Sequence, residues 1–169
     1  MSKNIVLVGF MGAGKSVAAK ELAKRLKQRA VSTDDLLEKQ EKRRIADIFR
    51  DSGEAYFRRQ EKALIRKLSS QTGLIIDCGG GAFLDQENID HLNSSGVTIY
   101  LEAGVDEIAR RTEGLKHRPL LNVDDPHKKI KELLTQRKPF YAQALHTIHT
   151  DGKGNRQVCD EIMKVLKPC

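Results

Sequence analysis

Short apolar runs alternate with amphipathic stretches along most of the chain, a pattern typical of strands joined by helices. Residues 5–8 and 74–77 are apolar and nearly continuous, as in parallel strands buried on both faces. Further strands are predicted at 30–32, 97–101 and 147–148. Strands that alternate with helices predict a parallel α/β sheet covered by helices on both faces.

The helices between these strands show one apolar side and recognisable ends. Ala18, Leu22 and Leu26 recur at a spacing of four and predict a helix packed on the sheet. An oxygen side chain within 33–35 is expected to cap a helix from about residue 36, and helices follow at about 45–49 and 54–68. Later helices are predicted at 86–92, from 106, from 126 after an Asp-Pro start, and along 158–166.

The first strand leads into a phosphate-loop motif. Residues 9–16 read Gly-Phe-Met-Gly-Ala-Gly-Lys-Ser and fit G-x-x-x-x-G-K-[ST] between a strand and a helix. Glycines let the backbone N–H groups turn toward one point, and the helix that follows adds the positive end of its dipole. Lys15 is expected to reach the outer phosphates and Ser16 to hold Mg²⁺. A structural glycine turn is the alternative, but the flanking strand and helix favour a nucleotide site.

Composition fits one soluble domain. The chain has 169 residues, of which 39% are hydrophobic and 31% charged, which is ordinary for a globular protein. No apolar run approaches the ~20 residues of a bilayer helix, and the start lacks a signal-peptide pattern, so we expect a cytoplasmic protein. The three cysteines and five histidines form no metal-binding pattern, and Cys78 is expected to be buried.

The net charge of +7 is compatible with nucleic acid, a membrane surface or small anions as partners. Basic residues are interspersed with acids, and only 5% of residues are aromatic, which leaves few platforms for stacking bases. We therefore expect small anionic ligands and no nucleic-acid or membrane partner. We also expect a monomer. A nucleotide-dependent regulatory or nucleic-acid-binding module is the remote alternative.

Polar side chains and glycines follow the predicted strands, at the edge where parallel sheets bind ligands. The second strand ends in Ser32, Thr33 and Asp34, and the third ends in Asp77 followed by glycines at 79–81. Residues 111–125 are basic and polar with little periodicity, which predicts a mobile loop. The sequence thus places its candidate chemistry around the phosphate loop.

In order and spacing, these motifs resemble those of the shikimate kinases over nearly the whole chain. The match joins the phosphate loop, Asp34, segment 45–58, the run Gly79-Gly80-Gly81-Ala82, the segment Arg118-Pro119-Leu120-Leu121, and Arg137. The resemblance implies a three-layer α/β/α kinase fold with five parallel strands in the order 2-3-1-4-5 and a mobile lid. It also implies transfer of the ATP γ-phosphoryl group to the 3-hydroxyl of shikimate. Another small-metabolite kinase, such as gluconate kinase, is the nearby alternative.

The same resemblance assigns roles to residues within a single domain, 1–169, with a substrate-binding region at about 33–60 and a lid at about 111–125. The catalytic residues it implies are Lys15, Asp34 and Arg118. The ATP site it implies comprises Gly12, Ala13, Gly14, Lys15, Ser16, Val17, Arg111, Arg118 and Arg156. The shikimate site comprises Asp34, Arg58, Gly79, Gly80, Gly81 and Arg137. Simpler interpretations are a helix cap for Asp34 and surface charges for the arginines.

One position departs from the family pattern. The family usually shows Asp-x-Asp after its second strand, and the first acid helps to hold the single Mg²⁺ ion through water, but this chain has Ser32 there. Asp77 ends an apolar strand beside the phosphate loop, as a Walker-B aspartate does. We therefore hypothesise that Asp77 supplies the missing carboxylate, with Ser32 bonding a metal-bound water. The alternative is that Asp77 only bonds nearby backbone.

Overall fold

A computed structural model describes residues 3–114 and 121–167 of the chain. The strands are β1 (Asn4–Val8), β2 (Arg29–Ser32), β3 (Leu74–Asp77), β4 (Gly96–Glu102) and β5 (His146–His149). The helices are α1 (Lys15–Leu26), α2 (Thr33–Glu41), α3 (Ile45–Ser52), α4 (Glu54–Ser69), α5 (Gln86–Ser95), α6 (Val105–Thr112), α7 (Pro126–Tyr141) and α8 (Asn155–Leu166). A short 3₁₀ helix, Ala82–Leu84, follows β3.

The strands form one parallel sheet in the order β2-β3-β1-β4-β5, which confirms the predicted topology. From β1 the chain first moves to the β2 edge, and every later crossover runs in the opposite direction across the sheet. Because such crossovers are right-handed, α1 lies on one face and α4 and α5 on the other. Helix α8 packs beside α1, which completes the three layers.

Burial follows position in the sheet. Every residue of the inner strands β1 and β3 is buried, and the third inner strand, β4, has five buried residues of seven. Each edge strand, β2 and β5, has one buried residue, Val31 and Ile148 respectively. Cys78 is fully buried, as expected, and Cys159 is also buried in α8, where the sequence pattern had indicated only its neighbours. Among the described residues, no helix has both the length and the apolar character needed to cross a membrane.

Helix α2 begins earlier than predicted and uses a different cap. The expected start was about residue 36 with a cap at 33–35, but the helix starts at Thr33 and Ser32 is its N-cap. The Ser32 side chain accepts a hydrogen bond of 3.2 Å from the Asp35 N–H. Because Ser32 provides the capping oxygen, Asp34 lies in the first helical turn and its carboxylate does not serve as the cap.

Candidate active site

The loop after β1 has the backbone of a phosphate-binding nest. Gly12 and Gly14 have φ angles of 78° and 93°, in the left-handed region that glycine enters at low cost. Helix α1 begins directly after Gly14, so its first N–H groups open onto the loop. Backbone N–H groups and the positive end of a helix dipole therefore converge where phosphate is predicted to bind.

Lys15 holds its charge at this loop. Its ammonium group donates hydrogen bonds to the carbonyl oxygens of Gly9 at 2.8 Å and Phe10 at 2.9 Å. The residue is buried although it is the first of helix α1. These bonds fix the cation over the loop, next to the N–H groups that would bind the outer phosphates.

Helix α6 packs against the side of the phosphate loop. The Arg111 guanidinium donates to the Gly12 carbonyl at 3.2 Å, to the Thr150 carbonyl at 3.3 Å and to the Glu107 carboxylate at 2.8 Å. A Cβ on Gly12 would lie 2.9 Å from the methyl group of Thr112. Arg111 thus joins the loop to the segment that follows β5, on the side where the nucleotide was predicted.

Ser16 and Asp77 meet beside the loop. The Ser16 hydroxyl donates to Asp77 Oδ2 at 2.5 Å, and Asp77 is buried at the end of β3. Ser32 lies opposite Asp77 in the register of β2 and β3. Hydroxyl and carboxylate oxygens are the hard ligands that Mg²⁺ prefers, so the donor chemistry at Ser16 and Asp77 fits this ion. No group of three or more His, Cys, Asp or Glu side chains within 3–114 and 121–167 is placed to bind a metal.

The predicted shikimate residues lie against the glycine run 79–81. Asp34 Oδ1 occupies the space that a Cβ on Gly79 would need. Both terminal nitrogens of Arg58 lie 2.5 Å from the ideal Cβ position of Gly81, and Arg137 Nη1 lies 3.6 Å from that of Gly80. At Gly79 and Gly81 these side chains fill the space that a Cβ would need, whereas a Cβ at Gly80 would make an ordinary van der Waals contact with Arg137.

The glycine run also reaches the phosphate loop. The ideal Cβ position of Gly80 lies 3.7 Å from the Met11 backbone nitrogen and 3.8 Å from the Gly9 carbonyl oxygen. The Arg137 guanidinium carbon lies 5.4 Å from the ring centre of Phe10, within the loop itself. The structure therefore brings the predicted acceptor residues and the predicted phosphate site together at Gly80.

Glu61 is a residue of this site that the sequence reasoning missed. It is 1% exposed and accepts a hydrogen bond of 2.8 Å from Arg58, one turn earlier on α4. Burial raises the pKa of the Glu61 carboxyl, while the charge of Arg58 opposes that rise. The i,i+3 spacing of Arg58 and Glu61 was the available signal, since such residues share a helix face.

Tyr141 was missed as well. Its hydroxyl donates to the Gly80 carbonyl oxygen at 2.6 Å, and its ring is fully buried and stacked on Tyr100 with centres 5.1 Å apart. It lies one turn after Arg137 on α7, so two side chains of the same helix reach the glycine run. The position of Tyr141 relative to Arg137 was the only sequence signal for this contact.

Arg156, another predicted nucleotide residue, stands apart from these contacts. Arg156 is exposed in the first turn of α8, and with Val17 it lines an open cleft between α1 and α8. Arg118, the predicted lid arginine, lies outside the described residues. The roles assigned to these residues remain predictions.

Comparison with known proteins gives a consistent result. The family model described as shikimate kinase matches residues 11–167. A shikimate kinase of Caldanaerobacter subterraneus subsp. tengcongensis is 43% identical over 162 residues, covering 96% of this chain and 95% of that protein. One from Persephonella marina is 42% identical over 161 residues, covering 95% and 97% respectively. The structure of shikimate kinase from Acinetobacter baumannii in complex with shikimate superposes with a TM-score of 0.93 at 34% identity, covering 98% of this chain and 93% of that one.

Proposed function

The chain belongs to the shikimate kinase family, and from this membership we infer what its site does. The protein transfers the γ-phosphoryl group of ATP to the 3-hydroxyl of shikimate and so forms shikimate 3-phosphate, a step of aromatic amino-acid biosynthesis. Gluconate kinase and a nucleic-acid-binding module are not favoured, because the family model and the relatives agree on shikimate kinase.

The observation that best supports this activity is the meeting of two surfaces at Gly80. On one side lie the phosphate loop atoms of Gly9 and Met11, and on the other lies Arg137. A phosphoryl donor on the loop and an acceptor on the glycine run would therefore be neighbours. Proximity of this kind supplies a large part of the rate in phosphoryl transfer.

We assign acceptor binding to Asp34, Arg58 and Arg137. Shikimate is a small carboxylate with three hydroxyl groups, and guanidinium groups bind a carboxylate through paired, charge-assisted hydrogen bonds. Arg58 and Arg137 supply those guanidinium groups, and residues 79–81 supply backbone between them. Asp34 orients the reacting hydroxyl and accepts its proton, because it is the carboxylate that lies against Gly79.

We assign stabilisation of the transferring group to Lys15 and Arg118. Charge spreads over the equatorial oxygens of the phosphoryl group in the transition state, so fixed cations next to those oxygens lower the barrier. Lys15 is held at the loop by two backbone carbonyls. Arg118 is assigned from the family motif alone. The lid was predicted at about 111–125, but residues 111 and 112 are the last of α6, so we propose that the lid begins after this helix. Arrival of Arg118 with this lid would exclude water from the reaction.

We place one Mg²⁺ ion at Ser16, with Asp77 as the side chain that would hold its water ligands. The Ser32 oxygen, the other position predicted to bond a metal-bound water, is engaged as the N-cap of α2. When bound, this ion neutralises charge on the β- and γ-phosphates. The hard oxygens of Ser16 and Asp77 lie within one hydrogen bond of each other, which supports that position.

The remaining nucleotide contacts are also proposals. We assign the phosphates to the backbone of Gly12, Ala13 and Gly14 and the first turn of α1, including Val17. The adenine is assigned to Arg111 and Arg156, of which Arg111 already contacts the phosphate loop. The single kinase domain over 1–169 and its substrate region at about 33–60 likewise remain predictions. We also propose a monomer, which sedimentation would test, and a cytoplasmic location, which cell fractionation would test.

A coupled assay of ADP release tests the activity. Shikimate should support turnover and gluconate should not, and chelation of Mg²⁺ should stop the reaction. The phosphorylated position should be the 3-hydroxyl when the product is examined by NMR. A Lys15→Met variant serves as the background control, since loss of one such stabilising group costs about 10²–10³-fold in kcat. Turnover with gluconate equal to that with shikimate would refute the assignment of the acceptor.

A further inference from the structure

Ser32 and Asp77 occupy equivalent places at the ends of neighbouring strands. They are register partners in the parallel pair β2 and β3, so their side chains leave the same face of the sheet. Both strands end next to the phosphate loop and the glycine run. An acid at either position would therefore stand near the same point, and this chain has its acid on β3.

The Ser32 oxygen already has a structural task. It accepts the Asp35 N–H as the N-cap of α2, a helix that carries Asp34 in its first turn. A capping oxygen satisfies one of the N–H groups that the helix start leaves without a partner. Its orientation is therefore set by α2, and it carries no charge that would attract a cation.

Asp77 is placed differently. Its Oδ2 accepts the hydroxyl proton of Ser16 at 2.5 Å, at the start of α1. A serine hydroxyl has one proton and two acceptor lone pairs, so this bond directs the proton inward and leaves the oxygen lone pairs to face a cation. Ser16 is exposed whereas Asp77 is buried, so the hydroxyl faces the ligand side and the carboxylate stands behind it.

We propose that Asp77, acting through Ser16 and a metal-bound water, is the acid of the magnesium site, and that Ser32 serves only as a helix cap. This inference rests on the proposed function. If this is so, an acid at either of the two register partners can serve the metal site, and moving it from position 77 to position 32 should preserve that site. Carboxylates that orient a metal ligand typically change metal affinity by about 10–100-fold when they are removed.

The affinity of the enzyme for ADP, measured by calorimetry with Mg²⁺ and with EDTA, tests the proposal without turnover. The dissociation constant for ADP in EDTA divided by that with Mg²⁺ measures how strongly the metal is coupled to the nucleotide, and a larger ratio means stronger coupling. Asp77→Asn keeps the size of the side chain but removes its charge, and we expect this ratio to fall by about 10–100-fold, with the EDTA value little changed. Asp90→Asn, an exposed acid on α5, is the matched control and should leave the ratio unchanged.

Two further variants separate the alternatives. Ser32→Ala should leave the ratio unchanged while lowering the unfolding temperature, because it removes only a cap. The double variant Ser32→Asp with Asp77→Ser should recover most of the ratio, since aspartate also caps helices well. An unchanged ratio in Asp77→Asn, or a double variant without recovery, would overturn the proposal. If Asp77→Asn loses ADP binding even in EDTA, the double variant alone tests the proposal: recovery of the ratio supports it, and no recovery overturns it.

Failure of the proposed function would look different. In that case the unaltered enzyme would not bind ADP more tightly with Mg²⁺, or would not release ADP with shikimate. Normal shikimate-dependent turnover together with an unchanged ratio in Asp77→Asn would reject only the role of Asp77.

Discussion

The absence of a side chain at Gly81 makes room for the Arg58 guanidinium. A methyl group in Gly81→Ala would stand 2.5 Å from both terminal nitrogens. The far end of an arginine can move without disturbing the fold, so we expect the enzyme to fold but to bind shikimate poorly. Loss of hydrogen bonds to a charged group, about 1.5–3 kcal/mol each, predicts a rise of at least tenfold in the KM for shikimate.

Steady-state kinetics with each substrate varied in turn would measure this effect, and the KM for ATP should change little. Gly154→Ala is the matched control, because φ at Gly154 is −75° and the nearest atom to its ideal Cβ lies 3.9 Å away. An unaltered KM for shikimate in Gly81→Ala would contradict the spatial explanation of the glycine run.

Glu61 should make stability depend on pH. Its folded-state pKa is raised by burial from an ordinary value of 4.5, so the folded protein binds this proton more tightly than the unfolded chain does. The resulting stabilisation is complete below about 4.5 and is lost as the pH rises through the folded-state pKa. As the pH rises from about 4.5 through the folded-state pKa of Glu61, we therefore expect the free energy of unfolding of the unaltered enzyme to fall relative to that of Glu61→Gln.

Urea unfolding at a series of pH values on both proteins would show the difference. Glu132→Gln, an exposed acid on α7, should keep the pH dependence of the unaltered enzyme. Parallel curves for the unaltered enzyme and Glu61→Gln would mean that burial of Glu61 does not raise its pKa.

At the scale of elements, α7 reaches the glycine run through both Arg137 and Tyr141. In Tyr141→Phe the ring can keep its stacking on Tyr100, but the hydrogen bond of 2.6 Å to the Gly80 carbonyl is lost. We expect the free energy of unfolding to fall by about 0.5–1.5 kcal/mol and the KM for shikimate to rise. Tyr56→Phe on α4, whose hydroxyl bonds Glu41, is a control for the loss of a hydroxyl alone. Equal KM values for shikimate in the two variants would argue against a positioning role for Tyr141.

The elements themselves were largely predictable, because inner strands and helix starts leave local signals. Asp125 caps α7 with Pro126 as its first residue, as the sequence indicates. The predicted start of α2 was wrong because oxygen side chains occupy all four positions from 32 to 35. The sequence alone does not show which of these four side chains caps the helix. Contacts such as that of Tyr141 with Gly80 join residues far apart in sequence, and periodicity carries no information about them.

At the scale of the whole molecule, the buried residues of all three layers form one continuous cluster. We therefore expect one cooperative unfolding transition. The chain has three tyrosines and no tryptophan, and Tyr100 and Tyr141 are both buried in the core, so tyrosine fluorescence reports on packing while far-UV circular dichroism reports on helices. The two signals should change at the same urea concentration. Separate midpoints would indicate parts that unfold independently.

The floor of the acceptor site consists of main chain at Gly79, Gly80 and Gly81, and charged groups from α2, α4 and α7 fill the space beside it. This arrangement bears on inhibitor resistance. If an inhibitor bound through hydrogen bonds to that main chain, no change of an existing side chain in the floor could give resistance, because residues 79–81 have no side chains. Any residue larger than glycine at 79 or 81 would displace Asp34 or Arg58, so resistance there would cost the enzyme its natural substrate.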